Sequence, residues 1–154
     1  MKAYEIAELM ETLSPVRYAC DWDNVGMHVG RRDNEIKKIL VTLDISDEAV
    51  DKAVAIKADM IISHHPLIFK GYKSIIGRDY IERCVLKAIK NDIVIYSAHT
   101  NLDNAPGGVN YKIAEKIGLK NVRILDPKEE YLLKLNLLDR KSDSGEAQYV
   151  TVIL

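Results

Sequence analysis

Two adjacent histidines, His64 and His65, close the apolar run Met60-Ile61-Ile62-Ser63, and a second run, Ile93-Val94-Ile95-Tyr96-Ser97-Ala98, leads into His99-Thr100-Asn101-Leu102-Asp103. Three of the four histidines thus fall at the ends of two strand-like segments. Imidazole nitrogens and a carboxylate are ligands that zinc, manganese, iron and nickel accept, and rigid strand ends position such ligands well. Successive strand residues point to opposite faces, so His64 and His65 cannot both address one ion while the chain stays extended. Pro66 ends the strand, and a turn there can aim one imidazole at each of two neighbouring ions, with Asp103 binding one of them or bridging both. Two ions about 3.5 to 4 Å apart recur in sites that activate water, whose pKa falls to about 7 when bound. The expected ligands are therefore His64, His65, Asp103 and His99, holding two divalent ions whose identity the donor types leave open.

Around this cluster the signals are weaker. Asp44 ends another apolar run and has two readings: it orients a histidine or substrate, or it caps the helix beginning near Ser46. Asn104-Ala105-Pro106-Gly107-Gly108 precedes a helix, so Gly107 and Gly108 could present backbone N–H groups to an anion such as phosphate, although Pro-Gly-Gly is also a common loop. His28 lies in an alternating segment and reads as structural. Lys70-Gly71-Tyr72-Lys73-Ser74 lacks the first glycine of a phosphate-binding loop, and the chain has neither His-Glu-x-x-His nor the deaminase pattern.

The elements that must hold these residues alternate regularly. Tyr4, Ile6, Leu9, Met10 and Leu13 recur at helical spacing over residues 3 to 13, and Ser14-Pro15 stops the pattern. Turn formers around Trp22 give way to a short strand ending at Gly30. Strands over 38–44, 60–64 and 93–98 then alternate with helices over 47–58, 79–91 and 108–117, with Ser46 as one N-cap, Asp79 with Glu82 as a capping-box-like start, and Gly118 as a stop. Such alternation predicts an α/β fold: a mostly parallel sheet with helices on both faces. In parallel sheets ligands bind beyond the carboxyl ends of the strands, and crossovers of one hand bring Asp44, His64, His65, His99 and Asp103 to that edge.

The expected division is an α/β metal-binding domain over 1–128 and an appendage over 129–154. In the latter, 131–138 and 149–154 read as a C-terminal strand pair, the start of a second, incomplete α/β half. A strand pair alone is marginal, so missing sequence or a partner is expected. The chain has 154 residues, enough to bury roughly 68 to 70% of its unfolded surface. With 47% hydrophobic and 29% charged residues and a formal net charge of −1, it lacks the basic excess that nucleic-acid binding usually demands. Cys20 and Cys84 form no CxxC, Glu5, Glu8 and Glu11 interrupt any signal peptide, and no run suits a membrane span, so a cytoplasmic protein is expected.

At these residues the sequence resembles the GTP cyclohydrolase 1 type 2 homologue family, the NIF-three-like proteins. The segments that carry the resemblance are Trp22-Asp23-Asn24-Val25-Gly26-Met27-His28-Val29-Gly30, Thr42-Leu43-Asp44, Ser63-His64-His65-Pro66-Leu67-Ile68-Phe69, Ala98-His99-Thr100-Asn101-Leu102-Asp103 and Gly107-Gly108-Val109-Asn110. They keep the family's order over roughly residues 1 to 126. The resemblance implies a two-metal site with His64, His65 and Asp103 in the family's first-half ligand positions and His99 nearby. It also implies a homo-oligomer, often a toroidal hexamer, built of two similar α/β halves. The family's remaining ligands, a histidine and a glutamate, come from a motif near its C-terminus, but no histidine follows His99, and Glu115, Glu129, Glu130 and Glu146 do not form that motif. The expected function is a metal-dependent hydrolase in which activated water acts on a nucleotide or related phosphorylated small molecule. The alternative is a metal-stabilised oligomeric binding or regulatory protein without turnover.

Overall fold

The computed structural model describes residues 1–124; the expected 128/129 boundary and strand pair lie outside the described residues. Four strands form the sheet: β1 (Gly26–Val29), β2 (Ile39–Thr42), β3 (Met60–Ser63) and β4 (Val94–Ser97). Their order is β1-β4-β3-β2, with β2, β3 and β4 parallel and β1 antiparallel on the β4 edge. The helices are α1 (Ala3–Leu13), α2 (Asp47–Ala55), α3 (Tyr80–Lys90), α4 (Thr100–Asn104) and α5 (Val109–Lys116). This is the expected α/β architecture, and each long element falls where its periodicity places it, trimmed by a few residues at the ends.

Both faces of the sheet are covered, and the pleat decides which residue faces which layer. Ile61 and Ile95 point to one side, where Val50 and Ala53 of α2 and Cys84, Val85 and Ala88 of α3 close over them. Met60, Val94 and Tyr96 point to the other, against Ala3 and Ile6 of α1 and Ile36. Here the sequence pattern overshoots. The apolar stripe of α1 included Tyr4, Leu9 and Leu13, yet these stay exposed; the buried line is Ala3 and Ile6, with Ala7 and Met10 packed beside it. A single helix lying across a sheet buries a narrow face, and small residues let it approach closely.

Three local features fix the chain path towards the strand ends. Gly30 has φ +96°, and a Cβ there would lie 2.9 Å from the Val94 Cα, so only glycine lets β1 leave the sheet at this point. The Ser46 hydroxyl accepts from the Ala49 amide at 3.2 Å and caps α2. The Asp79 carboxylate accepts from the Glu82 amide at 2.8 Å and caps α3.

Glu82 departs from the expected capping box. Instead of returning to the Asp79 amide, its carboxylate accepts from the Ile76 amide at 3.0 Å and the Arg78 amide at 2.8 Å, and it pairs with the Arg78 guanidinium at 2.6 Å. The residue is only 1% exposed, and these partners tie down the end of the long β3–α3 connection. The Arg78 hydrogen bonds, foremost, hold the Glu82 carboxyl down at about 2, against an ordinary value of 4.5. A depressed folded-state pKa contributes stability that is complete above the unfolded value and is lost as pH falls through the folded one. Glu82→Gln is therefore expected to be less thermostable than the parent at neutral pH, with the gap between the two melting temperatures closing between about pH 4.5 and about pH 2. Melting curves over that range check this; a gap independent of pH would contradict the assignment.

Candidate metal centre

The parallel register brings the site together. Ile39, Met60 and Val94 align at one end of β2, β3 and β4, and Thr42, Ser63 and Ser97 align at the other. Ladder bonds continue past the strands: the His64 amide donates to the Thr42 carbonyl at 3.2 Å, the His65 amide to Leu43 at 2.9 Å and the Ala98 amide to Ser63 at 2.9 Å. Beneath them the buried hydroxyls of Ser63 and Ser97 are 2.8 Å apart, and the Ser63 hydroxyl donates to the His65 carbonyl, also at 2.8 Å. Asp44, His64, His65 and His99 are thereby presented together at the carboxyl edge of the sheet.

The sequence did not suggest α4. Its first turn includes the bond from the Asp103 amide to the His99 carbonyl at 3.0 Å, so the two residues stand one helical turn apart on one face. That turn brings the Asp103 carboxylate to 3.5 Å from Nε2 of His64. His64, His65 and His99 each offer a nitrogen within 4.8 Å of the others, with ring centroids 5.1 to 5.6 Å apart.

Each imidazole has its Nδ1 engaged by an oxygen acceptor. Nδ1 of His64 faces the Ala98 carbonyl at 2.9 Å, Nδ1 of His65 faces Oδ1 of Asp44 at 2.6 Å, and Nδ1 of His99 faces both Asp23 oxygens at 3.0 Å. A carbonyl or carboxylate can only accept, so in the neutral form of each ring the proton belongs on Nδ1 and Nε2 carries the lone pair. Outer oxygens fixing the tautomer of an inner imidazole are the usual surroundings of metal-binding histidines.

Asp23 is the residue that the sequence reading did not single out. Its side chain is fully buried, accepts from the Thr100 amide at 3.1 Å and from the Thr100 hydroxyl, and joins the Trp22 loop to the start of α4. Burial alone would raise its carboxyl, but the hydrogen bonds from His99, Thr100 and Asn24 prevail and hold it below the usual range. Its one sequence signal was membership of the Trp22–Gly30 segment, since nothing in local spacing links it to a histidine 76 residues away. Asp103 goes the other way. Burial, reinforced by the charge of Asp23, raises its carboxyl despite the opposing influence of His64, His99 and His65.

The remaining candidates are placed as follows. Asp44 is exposed and hydrogen-bonded to Nδ1 of His65 at 2.6 Å, while the cap of α2 is Ser46. His28 bridges two loops: Nε2 donates to the Asn24 carbonyl at 3.0 Å, and Nδ1 accepts from the Ile68 amide at 3.4 Å. Gly107 and Gly108 form the turn between α4 and α5, where the Gly108 amide donates to the Ala105 carbonyl at 2.8 Å and a Cβ on Gly108 would meet the Leu102 carbonyl oxygen at 1.9 Å. Among the described residues no helix is long and apolar enough to cross a membrane.

Fold and site together define an α/β protein with a histidine-rich candidate metal site at the carboxyl edge of its sheet. The family pattern of Duf34/NIF3 (NGG1p interacting factor 3) matches residues 1–151, and the chain belongs to that family. It is 41% identical over 123 residues to a Bacillus subtilis protein named GTP cyclohydrolase 1 type 2 homolog, covering 80% of this chain and 33% of that one. A Clostridium perfringens protein of the same name is 39% identical over 126 residues, covering 82% and 48% respectively. Among solved structures, a Bacillus cereus protein related to NIF3 superposes with TM-score 0.77 at 41% identity, covering 83% of this chain and 35% of that one. Reduced HcgD from Methanocaldococcus jannaschii superposes with TM-score 0.73 at 40% identity, covering 79% and 48%. The chain therefore spans between a third and a half of the length of these relatives.

Asp23→Asn tests the Nδ1–H tautomer of His99 directly. The amide can still accept from Thr100 with its oxygen, but its NH2 would donate to Nδ1 of His99 and drive the ring proton onto Nε2. Metal affinity is expected to fall roughly 10- to 100-fold, with the His99 tautomer switched in nitrogen-detected NMR and the fold retained. Unchanged affinity with the switched tautomer would show that His99 does not bind the ion.

Proposed function

We propose that the protein is a divalent-metal-dependent hydrolase acting on a nucleotide or related phosphorylated small molecule. The observation that carries this reading is the clustering of His64, His65 and His99, each with Nδ1 held by an outer oxygen and a ring nitrogen within 4.8 Å of the others, with the Asp103 carboxylate 3.5 Å from Nε2 of His64. Neutral imidazoles and a carboxylate suit zinc, manganese, iron or nickel. In a tetrahedral zinc site, with bonds of about 2.0 to 2.1 Å, ligand atoms lie roughly 3.3 Å apart. The observed spacing of up to 4.8 Å fits one ion after the side chains draw in, or two ions that divide the donors between them.

His64, His65, His99 and Asp103 would hold the metal, which we propose to be two divalent ions. A bound divalent ion would lower the pKa of a water and polarise a phosphoryl or carbonyl oxygen. The protein's own part is to orient: Asp44, Asp23 and the Ala98 carbonyl hold the three rings, and the ladder holds their backbones. The nucleotide part of the proposal draws on the names of the curated relatives. The working form is proposed to be a homo-oligomer, since the donors among the described residues would fill only part of two coordination shells.

Metal analysis of the purified protein is expected to give up to two ions per chain, lost in the His64→Ala, His65→Ala double variant. Metal-free protein with an intact fold would sink the proposal. Nucleoside triphosphates and phosphodiesters assayed with added manganese or zinc should then show turnover that Asp103→Ala abolishes. If the ions bind without any turnover, the binding or regulatory reading replaces the hydrolase. Sedimentation of the metal-loaded protein tests the assembly.

A further inference from the structure

Beside the three histidines stands an aromatic pair that core packing does not explain. Trp22, the sole tryptophan, is 61% exposed, and Phe69, the sole phenylalanine, is 45% exposed. Burying such rings is among the larger gains open to a fold, yet both are held out in solvent. Their ring centroids are 5.8 Å apart at a 48° tilt, and the indole meets His99 edge-on at 6.2 Å.

The loops that carry them are stitched together by polar groups. The Asp23 amide closes a turn on the Cys20 carbonyl at 2.9 Å, and the Asp23 carboxylate is locked to Thr100 and His99. The Asn24 side-chain amide donates to the Ile68 carbonyl, and His28 joins the Asn24 carbonyl to the Ile68 amide. One tautomer of His28, with its proton on Nε2, satisfies both contacts. Trp22 and Phe69 are therefore presented on rigid supports, one residue from Asp23 on one side and one residue from Ile68 on the other.

We propose that Trp22, braced by Phe69, is the stacking platform for a planar heteroaromatic ring, a nucleobase or its like, in the substrate of the histidine site. The inference rests on the metal-dependent reading above and adds to it the part of the substrate that the protein grips. The electron-rich indole face pairs well with electron-poor heteroaromatic rings. An organic cation would also suit an indole, but cations held by the adjacent imidazoles would repel it. A neutral ring linked to an anionic group satisfies both neighbours, with the ring on Trp22 and the anion towards the histidines. In this arrangement Trp22 and Phe69 are positioning residues.

Because Trp22 is the sole tryptophan, its emission reports the platform directly. GMP and UMP, titrated into the metal-loaded full chain, are expected to quench it saturably, whereas ribose 5-phosphate leaves it unchanged. By calorimetry Trp22→Leu should weaken binding of the monophosphates by about tenfold or more, Trp22→Phe should stay within a few-fold of the parent, and both should retain the parent's metal content. The proposal is overturned if neither monophosphate quenches, if ribose 5-phosphate binds as tightly as they do, or if Trp22→Leu binds them like the parent. A blue shift of the emission with protein concentration alone also overturns it, since the indole would then be covered by a second copy. Metal stoichiometry is read separately, so a parent protein without metal defeats the hydrolase reading whatever the fluorescence shows.

Discussion

The site depends on one constraint, the matched ends of three parallel strands. Thr42, Ser63 and Ser97 lie in one row across β2, β3 and β4, and each next residue leaves the sheet from the same level. A shift of a single residue in β3 would exchange its two faces, placing Met60 and Ile62 where Ile61 packs and moving both histidines by one step. The α2–α3 core and the α1 core both resist such a slip, because each accepts only its own alternate set of β3 residues. Hydrophobic burial on the two faces thus sets the positions of polar groups at the strand ends. The Ser63–Ser97 hydroxyl contact adds a polar lock at the same level, where an unpaired buried hydroxyl would be costly.

Most of the frame was legible in the sequence because its signals are local. The runs around Met60 and Val94, the Ser46 and Asp79 caps and the clustering of histidines at strand ends each lie within a few residues of the element they define. What escaped was set by distance or by competition. Asp23 acts on a ring 76 residues away, and among turn formers such as Asp21 and Asn24 its type carries no special mark. The short helix α4 was hidden because Thr100 to Asn104 has little intrinsic helix preference; it forms where Asp23 receives its first amide and Asn101 donates to the buried Ser14 carbonyl at 2.7 Å. In α1 helical spacing alone marks Leu9 and Leu13 as apolar, whereas the face that meets the sheet is the Ala3 and Ile6 line with Ala7 and Met10 beside it. Glu82 was read as part of a cap, and tertiary contact with Arg78 claimed it instead.

The three histidines share a design but differ in setting. His64 is bonded to a backbone carbonyl fixed by the sheet, so its orientation follows from the strand register itself. His99 is bonded to a buried carboxylate that also anchors two groups of Thr100, so its orientation depends on the Trp22 loop being in place. His65 is the most open of the three, bonded to the exposed Asp44. His64 and His99 are equally screened, at 19% side-chain exposure against 47% for His65, and these two rings exert the larger charge effects on Asp103.

That difference bears on what the cluster can hold. Asp103 is a partly buried carboxylate raised by desolvation and by the nearby Asp23, and the three imidazoles around it have tautomers set to present lone pairs, not protons. In its neutral form His64 turns an Nε2 lone pair towards the Asp103 carboxylate at 3.5 Å, and two acceptors facing each other with no donor between them repel. A protein that needed only a stable strand end would place a donor there, as it does at Glu82, where the Ile76 and Arg78 amides and a guanidinium meet one buried carboxylate. The two sites show the same chain handling polar groups in opposite ways: at Glu82 every lone pair has a fixed partner within the fold, and at the histidine cluster the fold supplies outer oxygen partners to three imidazoles gathered into a candidate metal site.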